Sequence, residues 1–538
     1  MRPNINVFAI SKLIRIFHTL RHLLPRQVAY QFLYRITGRL TKNNAARTQV
    51  RRAVEKQWDQ PVRFSFLNLT VDFPSPANID WNFAGHGKLW TYNLNYFEFL
   101  SDRSFAEGSA LISAWIDGKH THRDGWEPYP TSLRLVSWIQ FYLDAGREMP
   151  PETIDSVRRQ YESLWSKREF HLGGNHLLEN ALALSLTAHF LPGISATDGP
   201  DRLLITELAE QYLPDGAHYE LSPMYHLTLL KRMLVVYDAM LKLGTISATK
   251  VPTLTTKLPS IVQTLHDSLT KQLGWAVAFC TPDGRYAHFN DSTDGIAPAL
   301  ADLRVFAAAL AISPAPVRLG ACGYRRWQHG PYDLWIDAAG IGPGYIPGHA
   351  HADNLTFELH LNGRPVIVDP AISTYEKNGR RTWERSTPAH NTVTLNDRNS
   401  SDVWGGFRVG RRANTTLEVD TETRLTASHN GYETPHRRTF ESVGATLLIT
   451  DEVNTSAAAV ARFHFAHDLR VELVPAGCRA GDLLLGWEGG EASLKNYDQA
   501  VGWNTLLPAG CLEIKFANTL GVTIGLAPGE RTVRRSKP

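Results

Sequence analysis

The sequence predicts an α+β protein of several domains, in which helical hairpins stacked into a bundle or toroid precede an antiparallel β-sandwich. The chain has 538 residues, too many for one ordinary core. Apolar residues recur at helical spacing before about residue 315, and the period changes to two after it. The proline-rich segment at 313–316 marks the predicted boundary. The predicted divisions are a helical extension over residues 1–80, a helical domain over 81–314 and a β-sandwich over 315–538.

The helical patterns are joined by loops that contain proline and glycine, as in stacked helical hairpins. They cover residues 132–139, 176–188, 203–213 and 224–243. The strand patterns are short and are separated by Asn-Gly, Pro-Gly and Gly-Gly breaks, which is typical of an antiparallel sandwich. They cover residues 355–361, 415–419, 445–450, 461–465, 469–473 and 512–516.

The composition is that of a globular protein, with 43% hydrophobic and 20% charged residues. The net charge of +3 and the absence of a reading motif argue against a nucleic-acid partner. No stretch has the roughly 18–20 apolar residues of a membrane span. Residues 5–39 predict an amphipathic helix with basic residues, which either packs on the body or touches a membrane surface. Without a clear signal peptide, we expect a cytoplasmic or non-classically periplasmic location. Oligomeric state stays open.

The segment at 348–354 brings two histidines, His349 and His351, to the edge of a predicted strand that ends in the hairpin signal Asn-Gly. The two imidazoles point to the same side if strand geometry already holds there. Further on, Asp369 ends an apolar run, and His390 follows a Pro-Ala pair. Two histidines and an aspartate from consecutive strands can bind one divalent metal. The remaining histidine is then free for acid–base chemistry.

A polar trio, Asn175, His176 and Glu179, can share one face of a helix that starts after two glycines. Polar groups on an otherwise apolar helix are costly to bury unless they are hydrogen-bonded, so a purely structural cluster is the alternative. Tyr225 lies near the start of another helix, after Pro223, and either projects into a cleft or packs in the core.

Aromatic-rich loops predict platforms on which sugars stack, with Tyr92, Asn93 and Trp126 as the candidate contacts. Packing of the loops themselves is the alternative. Basic clusters that include Arg385 fit an anionic polymer, because guanidinium groups bind carboxylates and sulfates in a bidentate manner. Ordinary solvated surface charge explains any single cluster equally well.

Taken together, four ordered motifs resemble the heparinase II/III family of polysaccharide lyases. They lie at residues 174–180, 222–225, 348–353 and 388–392. The resemblance implies an incomplete (α/α) toroid followed by an antiparallel β-sandwich, with a substrate cleft between them. It also implies eliminative cleavage of uronic-acid polysaccharides. The glycan stays open between heparan-like or other glycosaminoglycans, alginate-like chains and bacterial exopolysaccharides.

The resemblance also implies roles for individual residues. Asn175, with His176 and Glu179 near it, matches the part that neutralises the uronate carboxylate. From the chemistry of the residues, we expect Glu179 to hold His176 and raise its pKa. Tyr225 serves as the acid, in some members also as the base, and His349 takes the proton. The implied zinc ligands are His351, Asp369 and His390.

Several alternatives remain open at this point. The zinc is structural in related enzymes, but an absent metal and a catalytic metal are also compatible with the residues. Besides a lyase, the chain could be a non-catalytic glycan-binding or polysaccharide-assembly protein, or a glycoside hydrolase that reuses the cleft.

Overall fold

A computed structural model describes residues 7–40, 61–118, 122–191, 193–194, 198–250, 258–454 and 458–527. Helices dominate the first part of the chain, as predicted. They are α1 (Val7–Leu20), α2 (Pro25–Leu40), α3 (Gly87–Tyr96), α4 (Phe105–Gly118), α5 (Pro128–Asp144), α6 (Pro151–Ser166), α7 (Gly174–Phe190), α8 (Asp198–Gln211), α9 (Pro223–Lys250), α10 (Leu258–Phe279), α11 (Leu300–Ala309) and α12 (Gly379–Glu384). Within the described ranges, no helix has the length and apolar character needed to cross a membrane.

Most strands follow in the second part. They are β1 (Val62–Phe66), β2 (Leu69–Phe73), β3 (Tyr324–His329), β4 (Tyr332–Asp337), β5 (Phe357–Leu361), β6 (Arg364–Ile367), β7 (Val393–Leu395), β8 (Val403–Trp404), β9 (Arg408–Val409), β10 (Thr415–Asp420), β11 (Arg424–His429), β12 (His436–Val443), β13 (Thr446–Val453), β14 (Ala459–His464), β15 (Val471–Val474), β16 (Gly477–Ala480), β17 (Leu483–Ala500) and β18 (Leu506–Leu526).

The helical domain is an incomplete (α/α) toroid. Helices α5, α7 and α9 pack against one another, and each has a second neighbour in α6, α8 and α10, respectively. Helix α7 is buried on nearly all sides, because its leucines and alanines meet helices on both flanks. Fully buried tryptophans fill the space between the helices, which gives this domain a core of its own. They are Trp90, Trp115 and Trp138.

The second domain is an antiparallel β-sandwich. A four-stranded sheet, in the order β3-β4-β5-β6, faces a ten-stranded sheet whose main path is β10-β11-β12-β13-β18-β17-β16-β15. Phe357 of β5 meets Phe440 of β12 and Phe463 of β14, at ring distances of 5.6 and 6.1 Å. Along β13, buried and half-buried residues alternate, as expected for a strand with one face on the core.

Two hairpins show how far local patterns decide structure. The predicted Asn-Gly turn between β5 and β6 is present, with φ of 49° at Asn362 and 76° at Gly363. The predicted helical extension is wrong over residues 62–73, where β1 and β2 form a second hairpin. Its turn residues, Leu67 and Asn68, also have positive φ. The signal for it was the alternation of Val62 with the phenylalanines that follow, since these residues face the toroid core.

Candidate active site

The predicted residues Asn175, Tyr225 and His349 meet around one carboxylate, that of Glu220. The backbone N–H of Asn175 donates to Glu220 Oε1 at 2.6 Å, and its Nδ2 lies 3.2 Å from both carboxylate oxygens. His349 Nδ1 lies 2.5 Å from Glu220 Oε2. The imidazole stacks on the Tyr225 ring at 3.9 Å, with 17° between the planes. Groups from the toroid and the sandwich therefore form one site at the junction of the two domains.

The start of helix α7 is shaped by two glycines so that Glu220 can approach it. Gly173 and Gly174 have φ of 68° and 57°, a region that disfavours residues with a Cβ. A Cβ at Gly174 would lie 2.2 Å from Glu220 Oε1, and one at Gly173 would lie 2.6 Å from Ile346 Cδ1 of the sandwich. The Gly-Gly pair ahead of Asn175 is thus the sequence signal for this close approach.

Three neighbouring helices, α5, α7 and α9, all begin at this junction of the two domains. Their first turns carry Tyr129, His176 and Tyr225, respectively. Because the N-terminal ends of helices carry partial positive charge, this arrangement favours an anionic ligand.

The turn before α9 sets the position of Tyr225. Ser222 Oγ accepts a hydrogen bond from the Tyr225 N–H at 3.1 Å and donates to the Asp291 carbonyl at 2.6 Å. Leu221 has a φ of 57°, an unusual conformation for a leucine, and its carbonyl accepts from Asn290 Nδ2 at 2.9 Å. The strained turn points Glu220 and Tyr225 into the same space.

The hydroxyl of Tyr225 lies 3.0 Å from that of Tyr375, which belongs to the sandwich. Burial raises the pKa of the Tyr225 phenol above its ordinary value. Tyr225 is therefore a neutral phenol near neutral pH, able to donate a proton. Tyr375 lies outside the four motifs, and no pattern in the sequence distinguished it.

His176 faces the cleft with one third of its side chain exposed. Its Nδ1 lies 3.1 Å from Glu169 Oε1, and its ring lies 4.4 Å from that of Tyr129. Burial lowers the pKa of His176, but the Glu169 carboxylate outweighs this effect, and the net pKa is raised. His176 is thereby favoured in its cationic form.

The prediction that Glu179 holds His176 is wrong. Glu179 instead pairs with Arg232 of α9, with Oε2 3.2 Å from Arg232 Nε. The spacing of three residues does place Glu179 near His176, but a fully buried carboxylate is stabilised more by a guanidinium than by a half-exposed imidazole. Glu169, in the turn before α7, takes the predicted role.

The candidate glycan contacts have mixed outcomes. Tyr92 lies at the end of a row of aromatic rings that reaches His176 through Tyr96 and Tyr129, with neighbouring centroids 4.4 to 6.2 Å apart. Asn93 Nδ2 donates to the Leu89 carbonyl within α3 at 2.8 Å. Sugar binding by these two residues stays a prediction.

Trp126 and Arg385 both serve the packing of the protein. Trp126 is half-buried and lies 5.6 Å from the ring of Trp115, which fits the loop-packing alternative. Arg385 was predicted to contact an anionic polymer, with solvated surface charge as the alternative, but it is buried, and its Nε and Nη2 donate to the Ala350 carbonyl at 3.2 and 2.8 Å. Burial, assisted by Arg381, lowers its pKa to about 9. Arg385 braces the loop that carries His349.

The condition for His349 and His351 to point to the same side is not met, because that loop does not have strand geometry. Strand β5 begins only at Phe357. His351 turns into the interior, where its Nε2 lies 2.8 Å from Asp291 Oδ1. Asp291 is fixed in turn by Arg381, whose Nη1 and Nη2 lie 2.5 and 2.7 Å from its two oxygens.

A buried cluster beneath the loop has the composition of a metal site; it contains two of the predicted ligands, His351 and His390, together with Asp353. His351, Asp353 and His390 offer ligand atoms within 4.8 Å of one another. In the described part of the chain, His351 Nδ1, Asp353 Oδ2 and His390 Nε2 are buried without a hydrogen-bond partner. Three unsatisfied atoms of these types in one place fit a divalent cation.

The predicted ligand Asp369 has a different place in this cluster. Its Oδ2 lies 2.6 Å from His390 Nδ1, and its Oδ1 accepts from the Ala371 N–H at 3.1 Å. Asp369 therefore contacts His390 directly at the edge of this cluster, and its role as a metal ligand stays a prediction. The sequence signal for Asp353 was its place in the Gly-His-Ala-His-Ala-Asp run.

Comparison with known proteins agrees with this architecture. The family model "Heparinase II/III N-terminus" matches residues 154–312, and "Heparinase II/III-like, C-terminal" matches residues 311–518. The chain belongs to the heparinase II/III family. The two family models meet a few residues before the predicted domain boundary at 314.

Among curated family relatives, a protein named heparin-sulfate lyase from Pedobacter heparinus is 28% identical over 316 residues. Another of that name, from Bacteroides stercoris, is 26% identical. The matches cover 51% and 52% of this chain and 44% of each relative, so the chain spans less than half the length of the relatives it matches.

Solved family structures share the fold. A crystal structure of heparinase III aligns over 84% of this chain and 80% of its own, with a TM-score of 0.63 and 15% identity. The structure of heparan sulfate lyase HepC from Pedobacter heparinus aligns over 86% and 80%, with a TM-score of 0.53 and 18% identity. The toroid followed by a sandwich is therefore the architecture of this family.

Proposed function

We propose that this heparinase II/III family member is a polysaccharide lyase that cleaves a uronic-acid polysaccharide by β-elimination. The observation that carries the proposal is the meeting of Asn175, Tyr225 and His349 around Glu220, beside His176, whose pKa Glu169 raises. The relatives named heparin-sulfate lyase support the same reaction class.

In this reaction, the proton on the carbon next to the uronate carboxylate is removed, and the electron pair left behind spreads onto the carboxylate as an enolate. Groups that already face the carboxylate stabilise that charge without rearrangement. His176 offers a charged N–H. The Asn175 amide has two N–H bonds, so it can keep one on Glu220 and turn the other to the substrate.

His349 is the proposed base. Its Nδ1 faces Glu220, so Nε2 is on the opposite side of the ring and is directed to the substrate. Burial raises the pKa of Glu220, but His349 and the Asn175 N–H outweigh this effect and lower it to about 2. Glu220 is therefore ionised at neutral pH and fixes the orientation of the imidazole.

Tyr225 is the proposed acid. As the enolate collapses, the bond between the β-carbon and the glycosidic oxygen breaks, and the Tyr225 O–H protonates that oxygen. The products are a new chain end with a hydroxyl group and an unsaturated uronate. A positioned acid or base of this kind contributes roughly 100- to 10,000-fold to the rate.

A zinc ion belongs to this proposal as a structural component. His351, Asp353 and His390 would hold it, and their three unpartnered atoms support the assignment. When bound, zinc would cross-link the loop of His351 to the segment that carries His390. The elimination itself uses only side chains of the chain.

A panel of acidic polysaccharides tests the proposal, with heparan sulfate, alginate and bacterial exopolysaccharides as substrates. Ultraviolet absorbance of the new double bond is the expected signal, and Tyr225→Phe should remove it while glycan binding persists. New reducing ends without a double bond would assign a hydrolase. Binding to a panel glycan without turnover, unchanged in Tyr225→Phe, would assign a binding protein.

A further inference from the structure

The charge of the chain is divided unevenly along its length. Residues 1–54 contain 11 of the 56 lysines and arginines and none of the 53 acidic residues. The remaining residues therefore carry 45 basic and 53 acidic side chains, and the small net charge of +3 hides a basic N-terminal segment on an acidic body. A block of one sign at one end of a chain points to an anionic partner.

Several polar contacts fix helices α1 and α2 of this segment to the body. Arg26 Nη2 lies 2.7 Å from Glu210 of the toroid, and Gln27 Nε2 donates to the Tyr345 carbonyl of the sandwich at 3.2 Å. Thr19 Oγ1 lies 3.4 Å from the Val409 carbonyl. An aromatic contact, of Tyr30 with Phe170 at 4.6 Å, adds to these. The pair thus contacts both domains.

Large apolar side chains of the pair face outwards. On α1 they recur every three residues, which places them along one side of the helix. The exposed set, with the exposed fraction of each, is Ile14 (51%), Phe17 (64%), Leu20 (54%), Val28 (52%), Phe32 (69%) and Leu33 (49%). Arg15 and Arg21 are exposed beside them. Ile16, Leu23 and Leu24 are half-buried, but this many exposed large apolar side chains is unusual for a helix pair packed on a protein.

We propose that α1–α2 docks this protein on an anionic membrane surface. Exposed aromatic and aliphatic side chains enter the interface between headgroups and acyl chains, while arginines bind the lipid phosphates. An acidic glycan would satisfy the arginines and leave the apolar residues in water. A second copy would cover the apolar residues but bring two strongly basic segments together, which is unfavourable.

If the protein is the proposed lyase, on which this step depends, the position of α1–α2 also decides where its active site lies relative to the membrane. Tyr345, which accepts from Gln27, is next to Ile346, and Ile346 reaches Gly173 at the start of α7. Docking through α1–α2 therefore holds the cleft near the bilayer, and the favoured substrate is an acidic polysaccharide located at the membrane surface.

Co-sedimentation of the full chain with lipid vesicles tests the proposal. The probes are phosphatidylcholine vesicles with and without phosphatidylglycerol, at low and high salt. The apolar variant is Phe17→Ser/Phe32→Ser, and the charge variant is Arg15→Glu/Arg21→Glu. Helix α11 provides matched controls, Val305→Ser and Arg304→Glu, since both residues are exposed and lie outside the helix pair.

We expect binding only to the anionic vesicles, weakened by salt and reduced by about tenfold or more in both test variants. The α11 controls should bind like the wild type. Circular dichroism and turnover of a soluble polysaccharide identify a variant that has failed to fold, and an inactive wild type that still binds vesicles would refute only the lyase.

Other results overturn the docking proposal. No vesicle binding, or equal binding to both kinds of vesicle, excludes an anionic bilayer as the partner. A concentration-dependent dimer that Phe17→Ser/Phe32→Ser abolishes assigns the surface to a second copy. Salt-sensitive binding to heparin that depends on the arginines but not on the phenylalanines assigns it to a glycan.

Discussion

His349 and His351 are two residues apart in one loop, yet they use opposite ring nitrogens. His349 Nδ1 lies 2.5 Å from Glu220 Oε2, which leaves Nε2 as the nitrogen proposed to face the substrate. His351 Nε2 is held by Asp291, which directs Nδ1 to the buried cluster with Asp353. The carboxylate that holds each ring therefore decides which nitrogen is available: one for the proposed proton transfer at His349, and one for the proposed metal site at His351.

The environment of each pair separates the roles further. Glu220 also binds Asn175 at the start of α7, so the His349 pair belongs to the cleft between the domains. Asp291 is fully buried beneath the same junction, where it also binds Arg381, so the His351 pair belongs to the interior. A sequence that reads His-Ala-His thus supplies one group for chemistry and one for structure.

The largest effect on turnover is expected from substitution of His349, which the comparison assigns to the chemistry. His349→Gln keeps an amide that can donate to Glu220 but provides no base, so turnover should fall roughly 100- to 10,000-fold with an unchanged melting temperature. His351→Gln keeps a donor for Asp291 but lacks the second ring nitrogen, and its melting temperature should fall. Initial rates and thermal denaturation measure both. Wild-type turnover in His349→Gln would exclude this residue as the base.

A somewhat smaller effect is expected at Asn175. Asn175→Ala keeps the backbone N–H on Glu220 but loses the amide proposed to face the uronate, so kcat should fall roughly 100- to 1,000-fold. Because that amide acts most strongly on the enolate, KM should change little. A rise in KM at constant kcat would show that Asn175 only binds the ground state.

Residues that local patterns govern were predictable from the sequence. The helices, most strands, the Asn-Gly turn and the polar start of α7 follow from periodicity and turn chemistry. The partners of the site residues were not predictable in this way. Glu169 reaches His176, Glu220 reaches His349, and Tyr375 reaches Tyr225 only after distant segments have packed.

The two corrections at charged residues have the same physical origin. Glu179 has the right spacing for His176, but tertiary packing brings Arg232 to it. The charge pattern suggested an accessible position for Arg385, but the residue is buried and donates to the Ala350 carbonyl. Helical spacing and charge pattern describe one element at a time, whereas a buried charge takes its partner from a neighbouring element.

For the buried cluster around His351, the question to test is which aspartate binds metal, Asp353 or Asp369. Asp353→Asn removes a proposed ligand and should abolish stoichiometric zinc, whereas Asp369→Asn removes the group that orients His390 and should weaken binding about 10- to 100-fold. Metal analysis of the purified variants and zinc titration followed by melting temperature are the measurements. Full zinc content in Asp353→Asn, with loss only in Asp369→Asn, would restore the ligand set predicted from the sequence.

The smallest effect is expected at Glu169, where the pH profile should move and the rate near neutral pH should fall less than in the variants above. The Glu169 carboxylate raises the pKa of His176, and the protonated form is the one proposed to face the uronate. In Glu169→Gln, His176 should lose its proton at a lower pH, so the alkaline limb of kcat/KM should shift to lower pH. Glu162→Gln, an exposed change on α6, is the matched control.

The raised pKa of His176 also makes stability depend on pH. The stabilisation from the His176–Glu169 pair is complete below the pKa of histidine in the unfolded chain and is lost as pH rises through the raised pKa of the folded protein. Glu169→Gln should lack this dependence. An unmoved alkaline limb in Glu169→Gln would mean that the charge of His176 is not what the reaction uses.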